Sequence, residues 1–221
     1  MMEMENNVLR LCGVIENTPE VDHEVFGEKF CRMELKVPRL SGTYDLLPVT
    51  VSERLMEGEV AVGMRIGVVG QLRSYNKVIG GSGRLLLTAF AQQLETPDDS
   101  ENPNTVQLVG AICKPPSFRT TPFGREITDL MLAVNRSFGK SDYIPCIAWG
   151  RTARYAASLQ VGDKLKVQGR FQSREYQKQM PDGTIMNRIA YEVSISRLSC
   201  LREEMPLADG LPREDPAGPL A

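Results

Sequence analysis

Apolar and polar residues alternate along much of the chain with a period of two, and turn residues interrupt the alternation. A period of two places successive side chains on opposite faces of a strand, so the pattern predicts half-buried β-strands. The clearest example is a run in which Ile189, Tyr191, Val193 and Ile195 alternate with polar partners. In the second half of the chain we expect strands near residues 104–113, 125–136, 142–149, 164–174 and 187–199.

One short segment has a different pattern. RTARYAASLQ (151–160) is rich in alanine and arginine and stops at Val161-Gly162, which predicts a helix between the third and fourth strands. Three strands, a short helix and two further strands is the order of a five-stranded Greek-key OB-fold barrel. The pattern therefore predicts an all-β fold of this kind for residues 104–200.

The first half of the chain repeats the second half at a constant offset. Asn7, Gly13, Arg39 and Asp45 return 97 positions later as Asn104, Gly110, Arg136 and Asp142. After a two-residue insertion the offset becomes 99, which pairs Gly70 with Gly169. A constant offset over this length indicates a tandem duplication. We therefore predict two tandem OB-fold barrels, each with a short helix between strands three and four.

Segments that are poor in apolar residues separate the copies and follow the second one. Prolines, acids and asparagines cluster in ETPDDSENPN, so we place a linker at 96–103, after a first barrel spanning 1–95. Residues 201–221 are rich in proline and acids, with too few apolar groups to offset the entropy of ordering. They are expected to form a disordered acidic C-terminal tail.

Composition and motifs exclude several classes of protein. Apolar residues make up 42% and charged residues 24% of the chain, as in ordinary soluble globular proteins. No stretch approaches the roughly 18 apolar residues of a membrane helix, so no membrane contact and a cytoplasmic location are expected. Five cysteines without a CxxC pair and a single histidine, His23, predict no metal site, and we expect no cofactor. The chain has no Walker loop and no Gly-x-Ser-x-Gly motif, so an enzyme is not expected.

Charge is distributed unequally between the copies. Residues 1–100 hold 10 basic and 15 acidic side chains, a net charge of −5, whereas residues 101–201 hold 14 and 8, a net charge of +6. A positive domain attracts a polyphosphate partner and a negative one repels it. The second copy is therefore the expected site of nucleic-acid binding.

Residues 104–200 resemble the bacterial single-stranded DNA-binding proteins. The resemblance lies in NTVQLVGAI (104–112), the Arg-x-x-Pro-x-Gly element at 119–124, LAVNRSFGKSDYIPCIAWGRTA (132–153) and VGDKLKVQGRFQSREY (161–176). It implies sequence-independent binding of single-stranded DNA in replication, recombination and repair. Members of this family usually act as four OB-folds together, which implies a homodimer for a chain that carries two.

Single-strand binding requires flat rings that stack on bases and cations that follow the phosphates. The aromatic residues at the family's stacking positions are Phe138, Tyr143, Trp149 and Tyr176. The basic residues assigned to DNA contact are Arg119, Arg136, Lys140, Arg151, Arg170 and Arg174. Trp149 has an alternative interpretation as a core residue, because tryptophan is heavily buried on average.

The first copy has Leu40, Leu46 and Ser52 at the positions that we match to Phe138, Tyr143 and Trp149, so we interpret it as an OB-fold kept for scaffolding or oligomerisation. The chain ends in AGPLA rather than the family's Asp-Ile-Pro-Phe, which puts in doubt the usual docking of replication and repair proteins. A competing hypothesis is a protein-interaction module of a replication or primosome assembly, with secondary nucleic-acid binding. The sequence also leaves the choice between single-stranded DNA and RNA open.

Overall fold

The computed structural model describes residues 6–56, 60–79, 82–97, 102–179 and 183–201. In the first copy these residues form strands β1 (Asn7–Ile15), β2 (Glu20–Val25), β3 (Glu28–Pro38), β4 (Tyr44–Ser52), β5 (Arg65–Ile79) and β6 (Ser82–Glu95), with a 3-10 turn at Glu53–Met56. In the second copy they form β7 (Asn104–Ile112), β8 (Ser117–Thr120), β9 (Glu126–Asn135), β10 (Ser141–Trp149), helix α1 (Gly150–Ala157), β11 (Lys164–Gln179) and β12 (Ile185–Cys200). A 3-10 turn at Ser137–Gly139 joins β9 to β10.

Each copy closes into a barrel by the same two pairings. β4 pairs in parallel with β6, and β1 pairs with β3. Likewise, β10 pairs in parallel with β12, and β7 pairs antiparallel with β9. The prediction of two OB-fold barrels is confirmed, and the predicted helix at 151–160 is observed at Gly150–Ala157. At the corresponding position of the first copy the described residues form a 3-10 turn, Glu53–Met56, rather than the short helix predicted there.

The strand predictions missed two features. The short strands β2 and β8 were not expected, and the β11–β12 hairpin extends beyond the predicted strand ends. Every residue of β2 and β8 is exposed, so neither strand shows the alternation of burial on which the prediction depended. Alternation reports burial rather than pairing, and a strand exposed on both faces leaves no such signal.

The two barrels share one continuous sheet. β1 and β7 pair antiparallel, with Leu9 opposite Val106 and Leu11 opposite Asn104. This pairing joins the six strands of each copy into a 12-stranded sheet among the described residues, with β2 and β8 at its edges. Asp182-Gly183 predicts the turn of the hairpin between the fourth and fifth strands of the second copy. Asp182 lies outside the described residues, as do residues 98–101 of the predicted linker and 202–221 of the predicted tail.

The core of each barrel consists of the inward residues of the alternating strands. Leu9, Leu35, Leu47 and Leu72 are completely buried in the first copy. The equivalent residues of the second copy, Val106, Leu132, Ile144 and Phe171, are also buried. Helix α1 packs through Ala153 and Ala156, and the buried Thr128 hydroxyl donates a hydrogen bond to the Ala153 carbonyl at 2.7 Å. Burial of each large side chain stabilises the fold by about 1.5–3 kcal/mol.

Two glycines at a β-bulge are required by close packing of the backbone. A Cβ atom on Gly70 would lie 2.0 Å from the Phe90 carbonyl oxygen, and one on Gly169 would lie 2.2 Å from the Ser194 oxygen. Both glycines follow a register shift in the hairpin of their copy. The bulge bends the strand and sets which residues after it face outward.

Two negative findings apply to the described residues. No group of three or more histidine, cysteine, aspartate or glutamate side chains there is arranged to hold a metal ion. In the same part of the chain, no helix is both long and apolar enough to cross a membrane.

Candidate nucleic-acid interface

The strand register places most of the predicted binding residues on one outer face of the second barrel. On β11 and β12, Arg170 lies opposite Ser194, Arg174 opposite Ala190, and Tyr176 opposite Arg188. Residues directly opposite each other share a face of the sheet. Ser194 is also aligned with Ile147 of β10, so Tyr143 and Trp149 lie on this face too. We call the surface formed by these strand positions the outer face.

Tyr143 and Trp149 mark the length of the outer face. They are six positions apart along β10, which at about 3.3 Å per residue is roughly 20 Å. Tyr143 is 46% exposed, whereas Trp149 is partly buried at the end of β10, where helix α1 begins. The Trp149 Nε1–H donates a hydrogen bond to Ser194 Oγ at 3.1 Å. This bond orients the indole on the outer face, and the interpretation of Trp149 as a residue of the barrel interior does not fit its position.

Tyr176 lies on the part of β11 that extends beyond the barrel. Its side chain is 37% exposed, and the Arg174 guanidinium lies 5.8 Å from the ring centroid. Arg174 also forms two 3.1 Å bonds with the buried carboxylate of Glu192. The hydrogen bond to Glu192 raises the pKa of Arg174. Glu192 therefore fixes the cation that covers one side of the tyrosine.

Phe138 is at the tip of the turn between β9 and β10. Its backbone has a φ of 62°, in the left-handed region, and its side chain is 98% exposed. The turn is closed by Arg136, whose backbone N–H donates to the Lys140 carbonyl at 2.7 Å. Lys140, two residues after Phe138, is also exposed. A ring that lies entirely in solvent gives up the stabilisation that its burial would provide. Such exposure is expected for a residue that stacks on a ligand.

Each copy has a buried aspartate near the start of its β4 or β10 strand, Asp45 or Asp142, whose carboxylate binds residues of the other copy. Asp142 is completely buried, and Arg136 Nε lies 3.2 Å from its carboxylate. The same carboxylate accepts hydrogen bonds from the Ser74 backbone N–H at 2.6 Å and from Arg73 at 3.3 Å. Burial lowers the pKa of the Arg73 guanidinium. Two of the three partners of Asp142 therefore come from the first copy.

Asp45 makes the reciprocal contacts from the first copy. Its buried carboxylate forms an ion pair with Arg39 and accepts from the Ser173 backbone N–H at 2.8 Å and from Arg170 at 3.2 Å. Burial lowers the pKa of Arg170, whereas the hydrogen bond to Asp45 raises the pKa of Arg39. Arg170 is therefore both a predicted binding residue and part of the joint between the barrels.

The remaining predicted residues lie at the far side of the outer face. Arg119 of β8, Ile127 of β9 and Trp149 of β10 are aligned side by side. Arg119 donates to Asp129 at 2.7 Å, and Arg151 is exposed at the start of α1. The structure thus brings together Tyr143, Trp149, Tyr176, Arg119, Arg170 and Arg174 on the outer face, with Phe138, Arg136, Lys140 and Arg151 in the segments flanking β10.

The first copy differs from the second in an unexpected way. The offset of 97 pairs Phe138 with Ser41, so our match to Leu40 was wrong by one residue, although Leu40 is fully exposed beside it. The strand register shows that Ser52 of the first copy is equivalent to Trp149, and that Phe90 is equivalent to Ser194. The aromatic ring at this place is therefore on β6 in the first copy and on β10 in the second.

Phe90 belongs to an aromatic cluster that the sequence did not reveal. Its ring lies 5.6 Å from Phe30, which stacks on His23 at 5.1 Å, and Arg73 lies 5.7 Å from the Phe90 centroid. The β5–β6 hairpin is shorter than β11–β12, so the offset changes from 99 before the turn to 104 after it. A gapped alignment of the two hairpins could have found this exchange.

Comparison with known proteins gives consistent matches. The model of the Single-strand binding protein family matches residues 103–201. Single-stranded DNA-binding protein A of Bacillus subtilis is 35% identical over 96 residues, which cover 40% of this chain and 56% of that protein. Single-stranded DNA-binding protein B of the same organism is 39% identical over 83 residues, which cover 34% of this chain and 74% of that protein. The chain thus spans little more than half the length of protein A.

A solved structure extends the similarity to both copies. The wild-type single-stranded DNA binding protein from Thermus aquaticus superimposes with a TM-score of 0.71 at 23% identity. The match covers 91% of this chain and 96% of that chain. The arrangement of two OB-folds in one chain therefore has a counterpart in a known fold.

Proposed function

Because the chain belongs to the single-strand binding protein family, we propose that it binds single-stranded DNA without sequence specificity on the outer face of the second barrel. The names of its relatives support this ligand. Family membership also agrees with the expectation of a binding protein rather than an enzyme.

The observation that carries the proposal is the shared face of the aromatic side chains. Tyr143, Trp149 and Tyr176 project from one side of the sheet, and Phe138 extends the series into solvent. Each base stacked on such a ring contributes about 1–3 kcal/mol, and every base has a π-face. Two or three stacked bases are therefore enough for strong binding that tolerates any sequence.

The basic residues divide into two groups with different roles. Lys140 and Arg151 are exposed and contact phosphates directly. Arg119, Arg136, Arg170 and Arg174 are each paired with a carboxylate. A guanidinium has five N–H donors, so it can bind a phosphate while it keeps its carboxylate. These four arginines hold the DNA strand in a fixed position, and Lys140 and Arg151 supply most of the electrostatic attraction.

The setting of this activity is DNA replication, recombination and repair, in the cytoplasm. A homodimer would supply the four OB-folds that the family resemblance implies, with the first copy acting mainly as scaffold. Light scattering tests the dimer. A mass of about 25 kDa in a protein that still binds oligo-dT tightly would contradict the inference from fold number to assembly.

A fluorescence titration tests the proposed ligand, because Trp149 is the only tryptophan in the chain. Oligo-dT should quench its emission in a saturable way, and Tyr176→Ala should weaken binding without changing the salt dependence. Duplex DNA and RNA of equal length serve as comparison ligands. Absence of binding to oligo-dT by fluorescence and by anisotropy of a labelled oligonucleotide would refute the proposal.

One observation favours the competing hypothesis of a protein-interaction module. Phe26 and Phe123 are 104% and 91% exposed at equivalent turns of the two copies, outside the set of predicted stacking residues. Exposed apolar side chains at such places are found in protein interfaces. The hypotheses separate when Trp149→Ala and Phe123→Ala are compared, since only the first should reduce binding of oligo-dT.

A further inference from the structure

A groove of about 980 Å³ lies between the two long hairpins and is lined by both copies. Its floor includes Met131 and Pro145 of the second barrel, and one wall carries Tyr176. Arg84 and Leu86 of β6, in the first copy, form the opposite side. The volume is at the upper end of the roughly 300–1,000 Å³ typical of small-molecule sites. The groove is partly open to solvent, so it can admit a segment of an extended polymer.

Basic side chains outnumber acidic ones by one in the groove, and Arg84 has a buried nitrogen without a hydrogen-bond partner among the described residues. Four arginines line it, at 84, 119, 174 and 188, together with three acids, Asp129, Glu175 and Glu192. Asp129 is engaged by Arg119, and Glu192 by Arg174. Arg84 Nε is buried and has no hydrogen-bond partner among the described residues. A buried donor without a partner is unusual in a folded protein and is satisfied when a ligand supplies an acceptor.

The lining combines the groups that recognise a single strand. The partly exposed ring of Tyr176 offers a stacking surface, and Met131 and Pro145 offer apolar contact to a base. Guanidinium groups bind phosphate oxygens through charge-assisted hydrogen bonds. We propose that Arg84 of the first copy contacts a backbone phosphate of the strand whose base stacks on Tyr176, so that the DNA site is built from both copies. This inference rests on the proposed function.

A matched pair of substitutions in the full-length chain tests the proposal. Arg84→Gln removes the predicted contact, and Arg10→Gln removes the same charge from an exposed β1 arginine that pairs with Glu95 outside the groove. Affinity for labelled oligo-dT is measured by anisotropy at several salt concentrations. Arg84→Gln should weaken binding about tenfold at low salt. It should also reduce the slope of log K against log salt by about 0.7, the value for one phosphate on a single strand.

The outcomes separate this inference from the proposed function. If wild-type protein fails to bind oligo-dT, the proposed function itself is refuted. If wild-type protein binds, and Trp149→Ala binds more weakly, but Arg84→Gln matches Arg10→Gln, the role of Arg84 is overturned. Arg84→Lys retains the charge and should keep the wild-type slope. A lysine variant that loses the slope as fully as the glutamine variant would also contradict a phosphate contact, and circular dichroism confirms that each variant is folded.

Discussion

Replacing Asp142 with asparagine tests how strongly the buried carboxylates hold the two barrels together. Asparagine has nearly the same shape and keeps an acceptor for the Ser74 N–H, so the change removes mainly the charge. Arg73 and Arg136 then remain near an uncharged group, with only 23% and 32% of their side chains exposed. Removing one partner of a buried ion pair costs about 3–5 kcal/mol. Because solvent reaches part of both arginines, we expect a loss of about 2–4 kcal/mol in the free energy of unfolding.

The loss can be measured by denaturant unfolding, with Trp149 fluorescence as a reporter of the second barrel. For a chain of this size, each kcal/mol lowers Tm by about 2–4 °C, so a decrease of roughly 4–16 °C is expected. Glu126→Gln is the control, since Glu126 pairs with Arg154 on the surface, where solvent screens the pair and it contributes little to stability.

A double variant shows whether the stabilisation passes between the copies. Asp142→Asn combined with Arg73→Gln should cost less than the sum of the two single changes by at least about 0.5 kcal/mol. If Asp142→Asn is no more destabilising than Glu126→Gln, or if the effects of Asp142→Asn and Arg73→Gln are additive, the carboxylate does not join the barrels.

Further predictions follow from burial. Gly70→Ala should destabilise the fold by at least about 2 kcal/mol, because its Cβ would meet the Phe90 carbonyl, whereas Gly83→Ala, which meets nothing within 4 Å, should be nearly neutral by thermal melting. Burial raises the pKa of the Cys146 thiol, so it should react with a maleimide only after unfolding; labelling of Cys146 in native protein would contradict this. Phe138→Ala should weaken oligo-dT binding but leave Tm unchanged, because the ring is 98% exposed.

The repeat in the sequence predicted the barrels because packing requires the same residues in both copies. Asn104 is an example: its side chain donates to the Phe171 carbonyl at 2.6 Å and accepts from the Phe171 N–H at 2.8 Å. Asn7 makes the same pair of bonds with Leu72. Such residues recur at a constant offset because they make the same contacts within each copy, and a linear comparison of the two halves detects that offset.

Contacts between the copies could not be predicted in this way. Asp45 and Asp142 were part of the repeat, yet nothing in their spacing shows that each binds a serine of the other copy. The linear comparison of the copies did not show that Phe90 takes the place of Trp149, because the two rings lie on different strands of their barrels. Phe138 lies among turn residues, which favour its observed exposure. The pairing of Arg119, Arg136, Arg170 and Arg174 with carboxylates, by contrast, depends on the folded register.

The β1–β7 pairing has a consequence for how the two barrels can change over time. When identical subunits associate, each substitution appears on both sides of the joint and must be tolerated twice. Here both strands belong to one chain, so their encounter is governed by a high effective concentration rather than by the amount of protein in solution. Dilution to nanomolar levels should leave the barrels joined. One barrel is therefore free to accumulate acids, or to move an aromatic ring to another strand, while its neighbour keeps a basic surface.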